Sequence, residues 1–306
     1  MLESNARTIP ADDAQGWIYL KVYVGEAAAK MEPLIVDLAA ALADYGRFER
    51  WFFLRYFDED GLHVRLRVKA RPGEYDETAR AVHELCSRCA LRLPSYPMRE
   101  HRPMVIHHAA PVDGGPAGGR TVRIEAARYE PELDKFAGQD GMPIAEAVFD
   151  ASSRIAWQVL AAEADGKASR KTLAPCFLSE AAAAFPPADG LVSFWRTVSF
   201  RWLGGDSPAA REWRQQFFDK GRRLREDGIP VVASDDALSP VEAELLAAWR
   251  AALRTAAEGY AALPAETVAS DVLPFHFGHL MSNRLGLSPF EEAYLAGLLE
   301  QQAETA

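Results

Sequence analysis

The chain has little cysteine. Its three residues, Cys86, Cys89 and Cys176, cannot all pair, which suits a reducing cytosol rather than a disulfide framework. Cys86 and Cys89 form a lone C-x-x-C on a helical stretch. It lacks the second pair of a zinc site and the strand context of a redox site, so it reads as packing. Long apolar runs are also missing: no stretch approaches the ~20 residues that a membrane helix needs, so no membrane partner is expected. The first residues, MLESNARTIPADDAQ, are acidic and have no apolar h-region, which speaks against a secretory signal. Residues 1–16 read as a flexible arm, and the expected compartment is the cytoplasm. Positive charge is in deficit. With Lys and Arg at 34 against Asp and Glu at 44, the net charge is −10, and such a chain repels phosphate backbones, so no direct nucleic-acid partner is expected. The glycine-rich segments match neither a phosphate loop nor a dinucleotide fingerprint, and there is no G-x-S-x-G nucleophile elbow. Acidic or thiol ligands at metal-site spacing are absent as well, so neither a metal nor a cofactor is expected.

What is present is an ordinary globular composition, 49% apolar and 25% charged over 306 residues, long enough to bury a core without staples. Trp17 to Val24 alternates, with Ile18, Leu20, Val22 and Val24 on one face, and predicts a half-buried strand. Residues 33–45 predict a helix ending near Gly46. Trp51 to Phe57 predicts a strand buried on both faces, Asp58 to Gly61 a hairpin turn, and His63 to Val68 the returning strand. A helix over 75–93, a Pro/Gly-rich loop or ribbon over 94–119 and a strand over 121–127 follow. Beyond Gly141 the pattern is helical, over 143–164, 191–202, 207–227, 239–262, 269–285 and 289–302. Ser288-Pro-Phe-Glu291 forms a capping box with Pro at the first helical position. The fold class expected is α+β: a mixed β-sheet in the N-terminal half packed by helices, a mostly helical C-terminal half, and a single compact domain over 17–302.

Three constellations can carry chemistry. In His63-Val-Arg-Leu-Arg-Val68, strand alternation puts Val64, Leu66 and Val68 on one face and His63, Arg65 and Arg67 on the other. That face is either a solvated surface with acidic neighbours or a cradle for a carboxylate or phosphate, since an arginine fork matches a carboxylate bidentately. In Tyr129-Glu-Pro-Glu-Leu-Asp-Lys-Phe-Ala-Gly138, Glu132 and Lys135 share a face if the turn is helical, and spacing alone favours a surface ion pair. In His276-Phe-Gly-His-Leu-Met-Ser-Asn-Arg284, residues His276, His279 and Asn283 fall on one helical stripe. His279 is a candidate general acid/base, whereas His276 reads as a hydrogen-bonded structural histidine. His107-His108 reads as an exposed pair. The basic run Lys220 to Arg225 reads as a solvated face, with a docking patch as its alternative.

These pieces stand together in a recognisable order. Trp17-x-Tyr-x-Lys-x-Tyr23 is followed by Phe52-Phe-Leu-Arg-Tyr56 and His63-x-Arg-x-Arg67. Tyr129-x-Pro-Glu132-x-x-Lys-Phe-x-Gly138 comes next, then Met142-x-x-Ala-Glu146 with Ser152-Ser153, and His279-x-x-x-Asn-Arg-Leu285 closes the series. The series resembles the C-terminal elimination domain of lantibiotic dehydratases and its free-standing relatives, the thiopeptide-type bacteriocin biosynthesis proteins. In that family a glutamylating domain or subunit esterifies a peptide Ser or Thr from glutamyl-tRNA, and the elimination domain then expels glutamate to leave dehydroalanine or dehydrobutyrine. The resemblance implies catalytic roles for His279, Arg65, Arg67 and Lys135, and substrate contacts from His63, Arg55, Glu132, Asn283 and Arg284. Two departures stand out. Lys135 replaces an arginine, keeping charge but losing the planar fork, and Ala137 replaces the first of two glycines.

The resemblance implies as partners a modified precursor peptide, with a leader and a Ser/Thr/Cys-rich core, and a separate glutamyl-tRNA-dependent glutamylation subunit acting in trans. It also admits a homodimer. On this reading the cations hold the glutamyl carboxylates and the developing charge, His279 moves the proton, and Asn283 or Glu132 orients the partners. The early basic strand and the late histidine are expected to meet in one pocket. Two alternatives stay open. One is the pyridine synthase branch, which joins two dehydroalanines by formal [4+2] cycloaddition and releases the leader. The other is a non-catalytic scaffold that binds the precursor peptide.

Overall fold

The computed structural model describes residues 16–25, 30–93, 123–264 and 271–304. The expected loop over 94–119, with His107 and His108, lies outside them, as does the arm over 1–15. The chain divides into two compact units, one carrying the sheet and the other running from Glu132 onward.

The first unit contains β1 (Trp17–Gly25), α1 (Met31–Tyr45), β2 (Arg50–Asp58), β3 (Gly61–Lys69), α2 (Tyr75–Arg92) and β4 (Arg123–Ala127). The strands form one sheet in the order β2-β3-β1-β4. Every pairing among the described residues is antiparallel, where a mixed sheet was expected. The reason is topological. The β1–α1–β2 crossover leaves β1 and β2 parallel, but the β2–β3 hairpin inserts β3 between them, so no parallel pair hydrogen-bonds. One face carries Ile18, Leu20, Val22, Trp51, Phe53, Val64, Leu66 and Val68, all buried. With Leu34, Leu38, Leu42 and Val82 of the two helices they form the unit's core.

Burial departs from the alternation pattern in two places. β1 is covered on both faces rather than half-buried, because Trp17, Tyr19 and Tyr23 on its second face are buried too. β2 is buried on both faces only over Trp51 to Phe53; Tyr56 and Phe57 near the hairpin end are exposed.

The second unit is helical: α3 (Gly138–Ala164), α4 (Arg170–Ala184), α5 (Gly190–Trp202), α6 (Pro208–Glu226), α7 (Pro240–Ala261), α8 (Val272–Leu285) and α9 (Pro289–Ala303). Helix α4 was not expected. Its segment Leu173 to Leu178 is buried without interruption, so it shows no amphipathic stripe, and Pro175 within it argues locally against a helix. Helix α3 begins five residues before the expected Pro143. Its entry turn uses Ala137 at φ 63°, the one non-glycine residue with positive φ among the described residues. At Gly141 a Cβ would lie 2.0 Å from the Phe136 carbonyl oxygen, so this turn admits only glycine there. Behind it, Phe136, Phe149, Phe277, Phe185 and Tyr260 form an aromatic cluster joining the entry turn to α3, α7 and α8.

Candidate active site

The basic strand is built as its alternation predicts, and its face is only partly solvated, with an acidic neighbour, Asp58, 3.4 Å from Lys21 and 3.8 Å from the His63 Nδ1. His63 is 0% exposed. Its Nδ1 lies 3.1 Å from the Gly61 carbonyl oxygen, which can only accept, so Nδ1 carries the proton. Nε2 is then the acceptor for the Arg65 Nε–H at 3.4 Å. Burial, first among its influences, lowers the His63 pKa and favours this neutral form. Arg65 also stacks on Tyr56, its guanidinium carbon 3.2 Å from the ring centroid. His63 and Tyr56 therefore fix the half-buried Arg65 guanidinium before any ligand arrives.

Arg67 is more enclosed, at 8% exposure. Its guanidinium carbon lies 4.4 Å from the Tyr19 ring centroid, 5.3 Å from Tyr129 and 5.4 Å from Phe52. Strand register puts Lys21 beside Arg65 on the same face, and Arg123 stacks over Tyr23 at 4.2 Å. Arg55 is not part of this group. It is opposite Val64, hence on the helix-covered face, where it meets Glu32 of α1 at 3.7 Å. The resemblance implied a substrate contact there, but the register puts Arg55 on the opposite face from Arg65.

In the second unit the functional candidates gather around α8. His279 keeps about a quarter of its side chain exposed, and its Nδ1 lies 2.9 Å from the Glu292 Oε1 of α9. Glu292 is 2% exposed. Burial, opposed by the bond from His279, pushes its carboxyl up to about 7. Trp202, closing α5, packs against the imidazole at 4.6 Å between ring centroids, and Phe275 stacks at 6.3 Å. Among the described residues, His279 Nε2 has no hydrogen-bond partner.

The bond at Nδ1 comes from Glu292 rather than from Asn283 or Glu132. Sequence reasoning missed it because the capping box drew Glu291 into a local role, where it accepts from the Ser288 N–H at 2.8 Å, and Glu292 has no local partner to announce it. His276, on the same stripe, is half-buried against Phe136 and Phe275. Burial, reinforced by Lys135, lowers its pKa to about 4, and its contacts among the described residues are aromatic rings rather than the hydrogen bond the sequence reading gave it. Glu132 and Lys135 form an exposed ion pair at 2.5 Å, as their spacing favoured. Arg201 stacks over Phe275 at 4.5 Å on the same side of α8 and was not anticipated.

Asn283 is half-buried one turn beyond His279. Arg284 turns away: it is 1% exposed, donates from Nε to the Ser153 Oγ of α3 at 2.9 Å, and lies over Phe149. One residue along a helix rotates the side chain by about 100°, enough to exchange a surface for the core. The expected substrate contact from Arg284 is thus replaced by a bond that ties α8 to α3. Arg65 and Arg67 belong to one unit, and Lys135 and His279 to the other.

The model of the family described as lantibiotic biosynthesis dehydratase C-term matches residues 17–303. The chain belongs to that family. The match spans both units and takes in the HxRxR strand, the Glu132–Lys135 turn and the α8 histidines. Three solved structures share the dehydratase C-terminal fold at low identity. The tRNA-dependent lantibiotic dehydratase MibB from Microbispora sp. 107891 is 19% identical with a TM-score of 0.60, over 97% of this chain and 29% of its own. The chain therefore spans under a third of MibB. The pyridine synthase TbtD from thiomuracin biosynthesis is 18% identical with a TM-score of 0.63, over 95% of this chain and 98% of its own. TsrL is 17% identical with a TM-score of 0.58, over 94% of each chain. No curated protein matches the chain. Among the described residues, no cluster of three metal-binding side chains occurs and no helix is long and apolar enough to cross a membrane.

Proposed function

We propose that this family member is a lyase of ribosomal-peptide tailoring, releasing glutamate from glutamylated Ser or Thr in a precursor peptide. The observation that carries the reading is the His279 imidazole, about a quarter exposed, bonded at Nδ1 to a buried carboxylate with Nε2 left open. That is the arrangement of an oriented general base. In the step, His279 takes the Cα proton, the electron pair forms the Cα–Cβ double bond, and the Cβ–O ester bond breaks to release the glutamate carboxylate. The products are glutamate and dehydroalanine or dehydrobutyrine. The step is redox-neutral.

Arg65, held by His63 and Tyr56, is the carboxylate-binding group in this reading. Arg67 supports it from the aromatic cage, and in the helical unit Lys135 adds positive charge beside His276. Cations aimed at developing negative charge supply a large share of such a barrier reduction. The reading makes residues 17–302 one functional domain in the cytoplasm. Its partners are the precursor peptide and a glutamylation subunit acting in trans, and the active form is a monomer or a homodimer.

The test incubates the chain with a glutamylated peptide and follows mass loss. Glutamate release should fall at least about 100-fold in His279→Ala and in Arg65→Ala. Undiminished release in both variants rejects the roles.

The full-length overlap with TbtD supports a second reading, in which the chain joins two dehydroalanines by formal [4+2] cycloaddition and releases the leader. A dehydrated precursor separates the two. A macrocycle with freed leader identifies the cycloaddition, and an unchanged dehydrated peptide leaves elimination.

A further inference from the structure

The second unit contains a buried acid that no motif of the family resemblance includes. Glu292 sits in the first turn of α9, just past the capping box of Ser288 and Glu291. That box fixes the turn from both ends, since the Ser288 hydroxyl accepts from the Glu291 N–H while the Glu291 carboxylate accepts from the Ser288 N–H. A rigid first turn holds the Glu292 carboxyl against His279 at 2.9 Å. A buried carboxylic acid is costly to ionise and contributes little to a core. The carboxyl hydrogen-bonds to an imidazole whose other nitrogen is open, with the Trp202 indole as a second polar neighbour. On the imidazole's flank, Trp202 and Phe275 limit ring rotation.

We infer that Glu292 is the positioning residue for His279: it accepts the Nδ1–H, fixes that tautomer, and makes Nε2 the atom that takes the substrate proton. The role deepens the proposed lyase reading and rests on it for its chemistry, though not for its geometry. Without an acceptor at Nδ1 the neutral imidazole can carry its proton on Nε2, and it then has no lone pair to offer there. Glu291 on α9 is the charged group that acts on Glu292 beside His279, and His276 on α8 is the titratable neighbour of His279; Arg201 on α5 and Glu132 with Lys135 at the entry turn act on His276. As a new imidazolium forms, Glu292 is the carboxylate in direct contact with it. Burial, which holds this carboxyl up near 7, strengthens its attraction for that charge.

The experiment compares wild type with Glu292→Gln and Glu292→Asp, using nitrogen NMR of the histidine-labelled protein, with His279→Gln to assign the signal. The wild type should show Nδ1–H. In Glu292→Gln the amide can donate to Nδ1, so the signal should move toward Nε2–H. With glutamylated peptide as substrate, kcat should fall about 100- to 10,000-fold with KM within a few-fold, as expected for a lost tautomer. Glu292→Asp keeps a carboxylate and should keep the Nδ1–H signal and part of the rate. A packing role would lower stability in both variants and leave tautomer and pH–rate profile unmoved; that result overturns the inference. A tautomer shift in a protein whose wild type releases no glutamate refutes the lyase reading and leaves the positioning role standing. An unmoved tautomer in an active lyase refutes the positioning alone.

Discussion

At the scale of single residues, two arginines that look equivalent in sequence have different surroundings. Arg65 is half-buried and held on two sides; Arg67 is enclosed by Tyr19, Phe52 and Tyr129. Replacing a flat guanidinium in an aromatic cage by an ammonium loses stacking and packing together. Arg67→Lys should therefore destabilise the fold by about 1–3 kcal/mol in urea unfolding. Arg65→Lys should shift stability by less than about 1 kcal/mol and act mainly on glutamate release. Equal unfolding midpoints for the two variants would contradict the distinction.

His276 gives a second residue-level expectation. Its folded-state pKa, about 4, is depressed from 6.5, so the folded protein binds fewer protons than the unfolded chain. The stability tied to the neutral imidazole is present above pH 6.5 and is lost as pH falls toward 4. Unfolding midpoints at pH 7.5 and 4.5 should differ less in His276→Leu than in wild type. The Glu292 carboxyl, raised from 4.5 to about 7, contributes in the opposite sense over the same range, so the comparison between variants isolates the histidine.

At the scale of elements, the entry turn into α3 shows what the Ala137 departure does. A left-handed conformation at φ 63° costs an alanine about 1–2 kcal/mol through its Cβ, while a glycine there costs only added chain entropy in the unfolded state. Ala137→Gly should thus leave stability unchanged or raise it by up to about 1 kcal/mol, measured by denaturant midpoint at constant slope. A loss above about 1 kcal/mol would mean that the Ala137 methyl, buried in the aromatic cluster region, contributes more packing than strain. The same turn carries Lys135 and Glu132, so its geometry bears directly on the candidate site. Strand and helix patterning was legible wherever one side of an element met a core and the other met water. It failed at α4, whose 173–178 segment is buried on every side, and on the second face of β1, where Trp17, Tyr19 and Tyr23 are buried despite their polar edges.

At the scale of the whole chain, the two units share one property: every cysteine is buried and free. Cys86 and Cys89 lie in the sheet unit and Cys176 in the helical one. Burial raises the pKa of all three thiols, which lowers the thiolate fraction on which reaction depends. None should label with a water-soluble thiol reagent in the native protein, and all three should label in denaturant, as followed by intact mass. Rapid native labelling of Cys86 or Cys89 would remove the packing explanation for the C-x-x-C.

The sequence by itself determined the fold class, the strand alternation behind the basic face, the firm start of α9, and His279 as the candidate base. Each of these follows from local spacing, because side-chain direction repeats every two residues in a strand and every 3.6 in a helix. Only the tertiary structure decided which basic residues share a face with Arg65, that Arg284 serves the core, and that a carboxylate from another helix stands at His279. Those outcomes depend on which elements pack together and at what depth, and burial is a property of the folded chain that no local pattern encodes.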